Sequence, residues 1–135
     1  MLSFAKMENF YKLTTAIGKY EVVLKKTDEG LKAMALDDMP RNKGIIQRKS
    51  EELLLQREKA QQRLPVLKAL REHNLPAVEN TINQATENCK MAIALRRKMI
   101  FQLRYMQGLE WNEIAECLQV KDPRKIVLQS LESKR

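Results

Sequence analysis

Apolar or near-apolar residues recur at Phe10, Leu13, Ile17, Tyr20, Leu24, Thr27, Leu31 and Met34, with gaps that alternate three and four without a break. An α-helix completes a turn every 3.6 residues, so this spacing draws one narrow stripe along a helix. Such a stripe is the seam of a helix packed lengthwise on another helix. The spacing therefore predicts one helix over about 3–35, with Ser3 as its N-cap. Gly18 and Gly30 fall inside the pattern, and a fray or kink is expected near Gly30.

Four Gly and four Pro punctuate all 135 residues. A sheet needs many more turns, so the fold class expected is all-α. Aromatic residues make up only 5%, which leaves Leu, Ile, Met, Val and Ala to build the core, and the seven Met are read as core filler. The segment Asp37-Asp38-Met39-Pro40-Arg41-Asn42-Lys43-Gly44 reads as a turn. Beyond it Ile46, Leu53, Ala60 and Leu67 stand seven apart, predicting a second helix over 45–63 that returns antiparallel to the first.

Pro65 and Asn74-Leu75-Pro76 read as interruptions, because proline removes a backbone donor and crowds the preceding turn. A short helix is expected at 65–72, with His73 in a loop. A third long helix is then expected from Pro76, along Val78, Ile82, Ala85, Cys89, Ala92, Arg96, Met99, Leu103 and Met106. Together these predict a helical hairpin scaffold over 1–92 and a separate module over 93–135.

That module carries the functional signal. Gly108 stands where a left-handed helix cap belongs, and a short helix over Trp111–Leu118 would bury Trp111, Ile114, Ala115 and Leu118. Asp122 is a good N-cap and Pro123 a good first-turn residue for a last helix over 123–133. That helix would bury Val127, Leu128 and Leu131 and expose Lys125, Gln129 and Ser133, with Ser130 at the margin. A helix enters the major groove only if it presents polar and cationic side chains along one face. Lys125, Gln129 and Ser133 are accordingly assigned to base edges, and Lys121, Arg124, Lys134 and Arg135 to phosphates.

The run Leu103-Arg104-Tyr105, Gly108-Leu109, Trp111, Glu113-Ile114-Ala115 and Leu118 resembles region four of bacterial RNA polymerase sigma factors. It resembles more closely the small sigma-like late-transcription regulators of phages of Gram-positive bacteria, the ArpU/RinA type. The resemblance covers roughly 35 residues. It implies a helix-turn-helix that binds double-stranded DNA, activates late genes, touches host RNA polymerase and works in the cytoplasm of a bacterial host. Three positions depart from the pattern: Glu110 stands at the usual Ser or Thr cap, the apolar residue expected early in the last helix falls one place late, at Ile126 rather than Lys125, and Gln119 replaces the turn glycine. A left-handed non-glycine residue there costs about 1–2 kcal/mol.

Charge agrees with a polyanionic partner: the formal net charge is +8, and residues 94–135 hold nine Lys/Arg against five Asp/Glu. No Cys-x-x-Cys pair exists and His73 is the only histidine, so neither a zinc site nor another cofactor is expected. Cys89 and Cys117 are read as buried free thiols. No carboxylate pair, glycine-rich phosphate loop or activated nucleophile is evident, so an enzyme is not expected. No apolar run reaches transmembrane length. The heptad stripes can serve a homodimer or the intramolecular hairpin. The competing functional readings are a helical protein that acts on a protein partner, as an anti-defence factor or polymerase inhibitor, and a terminase DNA-recognition subunit.

Overall fold

The computed structural model describes residues 1–36, 43–87 and 89–132, with side chains described except at 34–36 and 43–48. The expected turn at 37–44 lies largely outside the described residues, as do the Met34 and Ile46 side chains. Every described element is helical: α1 Phe4–Leu36, α2 Lys43–Thr86, α3 Met91–Phe101, α4 Trp111–Leu118 and α5 Pro123–Glu132. α3 runs directly into a π-helical segment, Gln102–Met106. The chain is all-α, and no described helix is long and apolar enough to cross a membrane.

α1 begins where its cap predicts. The Ser3 hydroxyl accepts from the Lys6 N–H at 3.3 Å, and the Ser3 carbonyl accepts from the Met7 N–H at 3.0 Å. The helix does not break at Gly30. A Cβ on Gly30 would lie 3.1 Å from the Leu53 side chain, so the glycine makes room for its neighbour on α2.

α2 overturns the expected breaks. It is one helix of 44 residues that passes through both Pro65 and Pro76, so there is no separate helix at 65–72 and none starting at 76. His73 is accordingly helical and exposed. The reason lies in the stripe: Ala60, Leu64, Leu67, Arg71, Leu75, Val78, Ile82 and Ala85 are buried or half-buried on one face, without a change of phase. The prolines are eleven residues apart, about three turns, so both fall on the opposite, open side. The carbonyls they leave without a donor belong to the exposed residues Gln61 and Glu72, where water can substitute.

α2 ends instead at Thr86. The buried Thr86 hydroxyl donates to the Ile82 carbonyl at 2.9 Å, and the Glu87 N–H closes a tight turn on the Gln84 carbonyl at 3.3 Å. Side-chain hydroxyls that compete for backbone groups favour helix ends. Lys90 is extended, and the helix that follows has a new phase. Ala92, Arg96 and Met99 of the expected stripe are exposed, and Ile100 and Phe101 are buried in their place.

The chain forms two compact units, Ala16–Ala69 and Met1–Thr15 with Leu70–Arg135. In the first, the antiparallel hairpin is visible in the pairings: Tyr20 with Arg63, Glu21 with Lys68, Asp28 with Arg57 and Gly30 with Leu53. Ile17, Thr27, Ala60 and Leu64 are buried there. Thr27 tolerates burial because its hydroxyl bonds the Val23 and Leu24 carbonyls. In the second unit, Met7 and Phe10 of α1 and Val78, Ile82 and Ala85 of α2 share a core with Ile100, Phe101, Tyr105, Ile114, Val127 and Leu131.

Pro65→Ala restores a helix hydrogen bond on an open face, at some cost in unfolded-chain entropy. We expect a net gain of about 2 kcal/mol in unfolding free energy. It should read as a higher urea midpoint at unchanged slope.

Candidate functional site

The second unit places α3, α4 and α5 around one buried cation. Arg104, only 6% exposed, donates from Nη2 to Glu8 Oε2 at 2.6 Å and from Nη1 to the Leu109 carbonyl at 3.1 Å. Its guanidinium carbon lies 3.3 Å from the Tyr11 ring centroid and 4.2 Å from that of Trp111. Nε is buried and has no hydrogen-bond acceptor. The Tyr105 hydroxyl donates to the other Glu8 oxygen at 3.0 Å. Burial, reinforced by the adjacent Glu8 carboxylate, pushes the Tyr105 phenol well above its ordinary range.

This network holds the turn that leads into α4. The Gln107 N–H reaches back to the Gln102 carbonyl, and the Leu109 N–H to that of Leu103, each one residue wider than an α-helical end provides. Side chains take two of the carbonyls left over. The Thr14 hydroxyl donates to Tyr105 O at 3.1 Å, and Arg71 reaches Met106 O at 3.5 Å. Gly108 has φ +74, and a Cβ there would sit 3.4 Å from methyl groups of both Thr14 and Thr15.

α4 spans the expected residues, and Ile114 is fully buried. The Glu110 N–H donates to the Glu113 carboxylate at 3.4 Å, which gives the helix start a partner despite the missing Ser or Thr. Trp111 is half-buried and stacks on Phe4 with ring centroids 6.5 Å apart. Gln119 takes the left-handed conformation in the glycine position, at φ 53 and ψ 45.

α5 is capped by Asp122, whose carboxylate accepts from the Lys125 N–H at 3.2 Å. Pro123, Val127, Ser130 and Leu131 are buried. Ser130 is therefore not marginal; its hydroxyl donates to the Ile126 carbonyl at 2.8 Å. Lys125 and Gln129 are exposed one turn apart, directly opposite Val127 by helical phase, with exposed Glu132 beside them. Lys121 is exposed in the turn before the helix. Arg124 is exposed too, with its guanidinium 5.6 Å from the Phe4 ring. Ser133, Lys134 and Arg135 lie outside the described residues.

Two readings change. Cys117 is exposed and Cys89 half-buried, the latter accepting from Arg97 Nη1 at 3.2 Å, so the thiols are not both core groups. Arg104 is neutralised by Glu8 and drops out of the cations available to a partner. What remains is segregated. Glu110, Glu113 and Glu116 are exposed in and around α4, while Lys121, Arg124 and Lys125 gather at the amino end of α5. Glu8, the centre of the network, was not singled out from sequence. Phe4, Glu8 and Tyr11 do form a second stripe at helical spacing, and that was the available signal.

Among the described residues no group of three or more His, Cys, Asp or Glu side chains is arranged to hold a metal ion. No protein-family model, curated protein or solved structure matches the chain.

Arg104→Met strands a largely buried carboxylate and should cost about 3–5 kcal/mol in urea unfolding. Adding Glu8→Gln should recover most of that loss, because the amide still accepts from Tyr105. The raised Tyr105 also sets an alkaline limit. A phenol protonated in the folded chain ionises on unfolding once pH exceeds about 10, so its stability contribution is complete below that pH and declines above it. Tyr105→Phe should flatten the decline between about pH 10 and 11 in melting experiments.

Proposed function

We propose that this chain is a DNA-binding transcription regulator, a sigma-like activator of phage late genes, in which α4 and α5 act as a helix-turn-helix. In this reading α5 enters the major groove of duplex DNA. Lys125, Gln129 and Ser133 meet base edges, while Lys121, Arg124, Lys134 and Arg135 meet phosphates. The observation that carries the reading is the two-sidedness of α5. Val127, Ser130 and Leu131 lock its inner face, and Lys125 and Gln129 stand open on the outer one. A rigid helix with an open polar face meets the geometric requirement for groove insertion.

The acidic surface of α4 bears on affinity. Glu113 and Glu116 repel phosphates, which confines contact to α5 and its flanks. One such module reads few bases, so selective binding in this proposal needs a second copy or host RNA polymerase beside it.

Lys125→Ala combined with Gln129→Ala removes only exposed side chains. It should leave helicity and melting unchanged and abolish selective duplex binding in fluorescence anisotropy; retained selectivity would refute the assigned face. Four phosphate-directed cations predict that log affinity falls with log salt at a slope of about −4, and Lys121→Ala should reduce this by about 1. A flat salt dependence would favour a protein-directed role.

A further inference from the structure

α3 is apolar on two sides. Its inner side supplies Ile100 and Phe101 to the core, both fully buried. Its outer side exposes Met91 at 80%, Leu95 at 57% and Met99 at 48%. At about 100° per residue these three and Ala92 share a stripe about 100° wide, with Lys98 at one edge and Arg96 at the other. Both cations are exposed. Methionine is therefore not confined to the core in this chain.

An apolar helix face is normally buried against something, and three large side chains in one row exceed scattered surface exposure. The charge pattern says what kind of partner fits. Between Glu87 and Glu110 the sequence holds Lys90, Arg96, Arg97 and Lys98 and no acidic residue, Arg104 being neutralised inside by Glu8. A second copy of this chain would set cations against cations along both edges, as like-charged flanking positions do in a coiled coil. Duplex DNA would place phosphates against Met and Leu, which offer no hydrogen bond. Helices that lie in bilayers carry wide apolar faces with aromatic anchors, whereas this stripe is narrow and contains no aromatic residue. Methionine-rich rows accommodate helices of varied shape.

We infer that the outer face of α3 docks an acidic amphipathic helix from a partner protein. Leu and Met side chains of the partner cover Met91, Leu95 and Met99, while its flanking carboxylates meet Arg96 and Lys98. The face is only about 16 Å long and 10 Å wide, so the contact belongs to the transient class of interfaces. It is a separate surface from α5 and stands independently of the DNA-binding reading.

The test uses the full chain and a fluorescent three-heptad peptide with Leu at the seam positions and Glu on both flanks. A counterpart carrying Lys in place of Glu serves as the comparison. The acidic peptide should bind and the basic one should not. Leu95→Glu should weaken the acidic peptide by at least roughly tenfold. Arg96→Glu with Lys98→Glu should abolish its binding and admit the basic peptide instead. Circular dichroism should show unchanged helicity in each variant, and Leu95→Glu should bind duplex DNA as the unaltered chain does. Any of four results overturns the inference. They are no preference between the two peptides, self-association that Leu95→Glu abolishes, stronger binding to phosphatidylserine vesicles than to the acidic peptide, and loss of duplex binding in Leu95→Glu.

Discussion

Within the unit formed by Met1–Thr15 and Leu70–Arg135, the position of the α4–α5 pair depends on the Arg104 guanidinium. It is paired with Glu8 on α1, bonded to the Leu109 carbonyl in the turn, and enclosed by Tyr11 and Trp111. A buried ion pair contributes little net stability compared with a well-packed apolar substitute. What it supplies here is a directional constraint, since Glu8 also accepts from Tyr105 and so fixes two successive residues of one helical turn. Apolar packing alone would let that turn slide.

The π-helical segment Gln102–Met106 holds both residues of this network, Arg104 and Tyr105, on the buried side. Its wider turn leaves carbonyls without helical donors, and Thr14 and Arg71 take up two of them. Gly108 then reverses the chain in the left-handed region, beside two threonine methyl groups that leave little room for a side chain. Three polar side chains and one glycine thus convert an irregular helix end into a defined corner.

Surface chemistry is distributed unevenly around that corner. α4 presents carboxylates, the start of α5 presents cations, and α3 presents an apolar row edged by Arg96 and Lys98. Arg104 contributes to the formal charge of the C-terminal segment but not to its open surface. Net charge read from sequence therefore overstates the positive potential around α4 and α5 and misses how much of it belongs to α3.

Local patterns were legible wherever one residue type has one physical use. The three-four spacing of α1, the Ser3 and Asp122 caps, the Gly108 reversal and the bounds of α4 could all be read from the sequence. So could the exposure of Lys121, Arg124, Lys125 and Gln129. These depend on neighbours within about a turn, where backbone chemistry decides. Pro65 and Pro76 were misleading, because a proline breaks a helix only when packing does not outweigh its local cost, and the α2 stripe runs through both. The Glu8–Arg104 pair, the phase change at α3 and the burial of Ser130 were likewise decided by tertiary structure. Residues nearly a hundred positions apart meet only after the chain has folded, and no periodicity records which charge will find which partner.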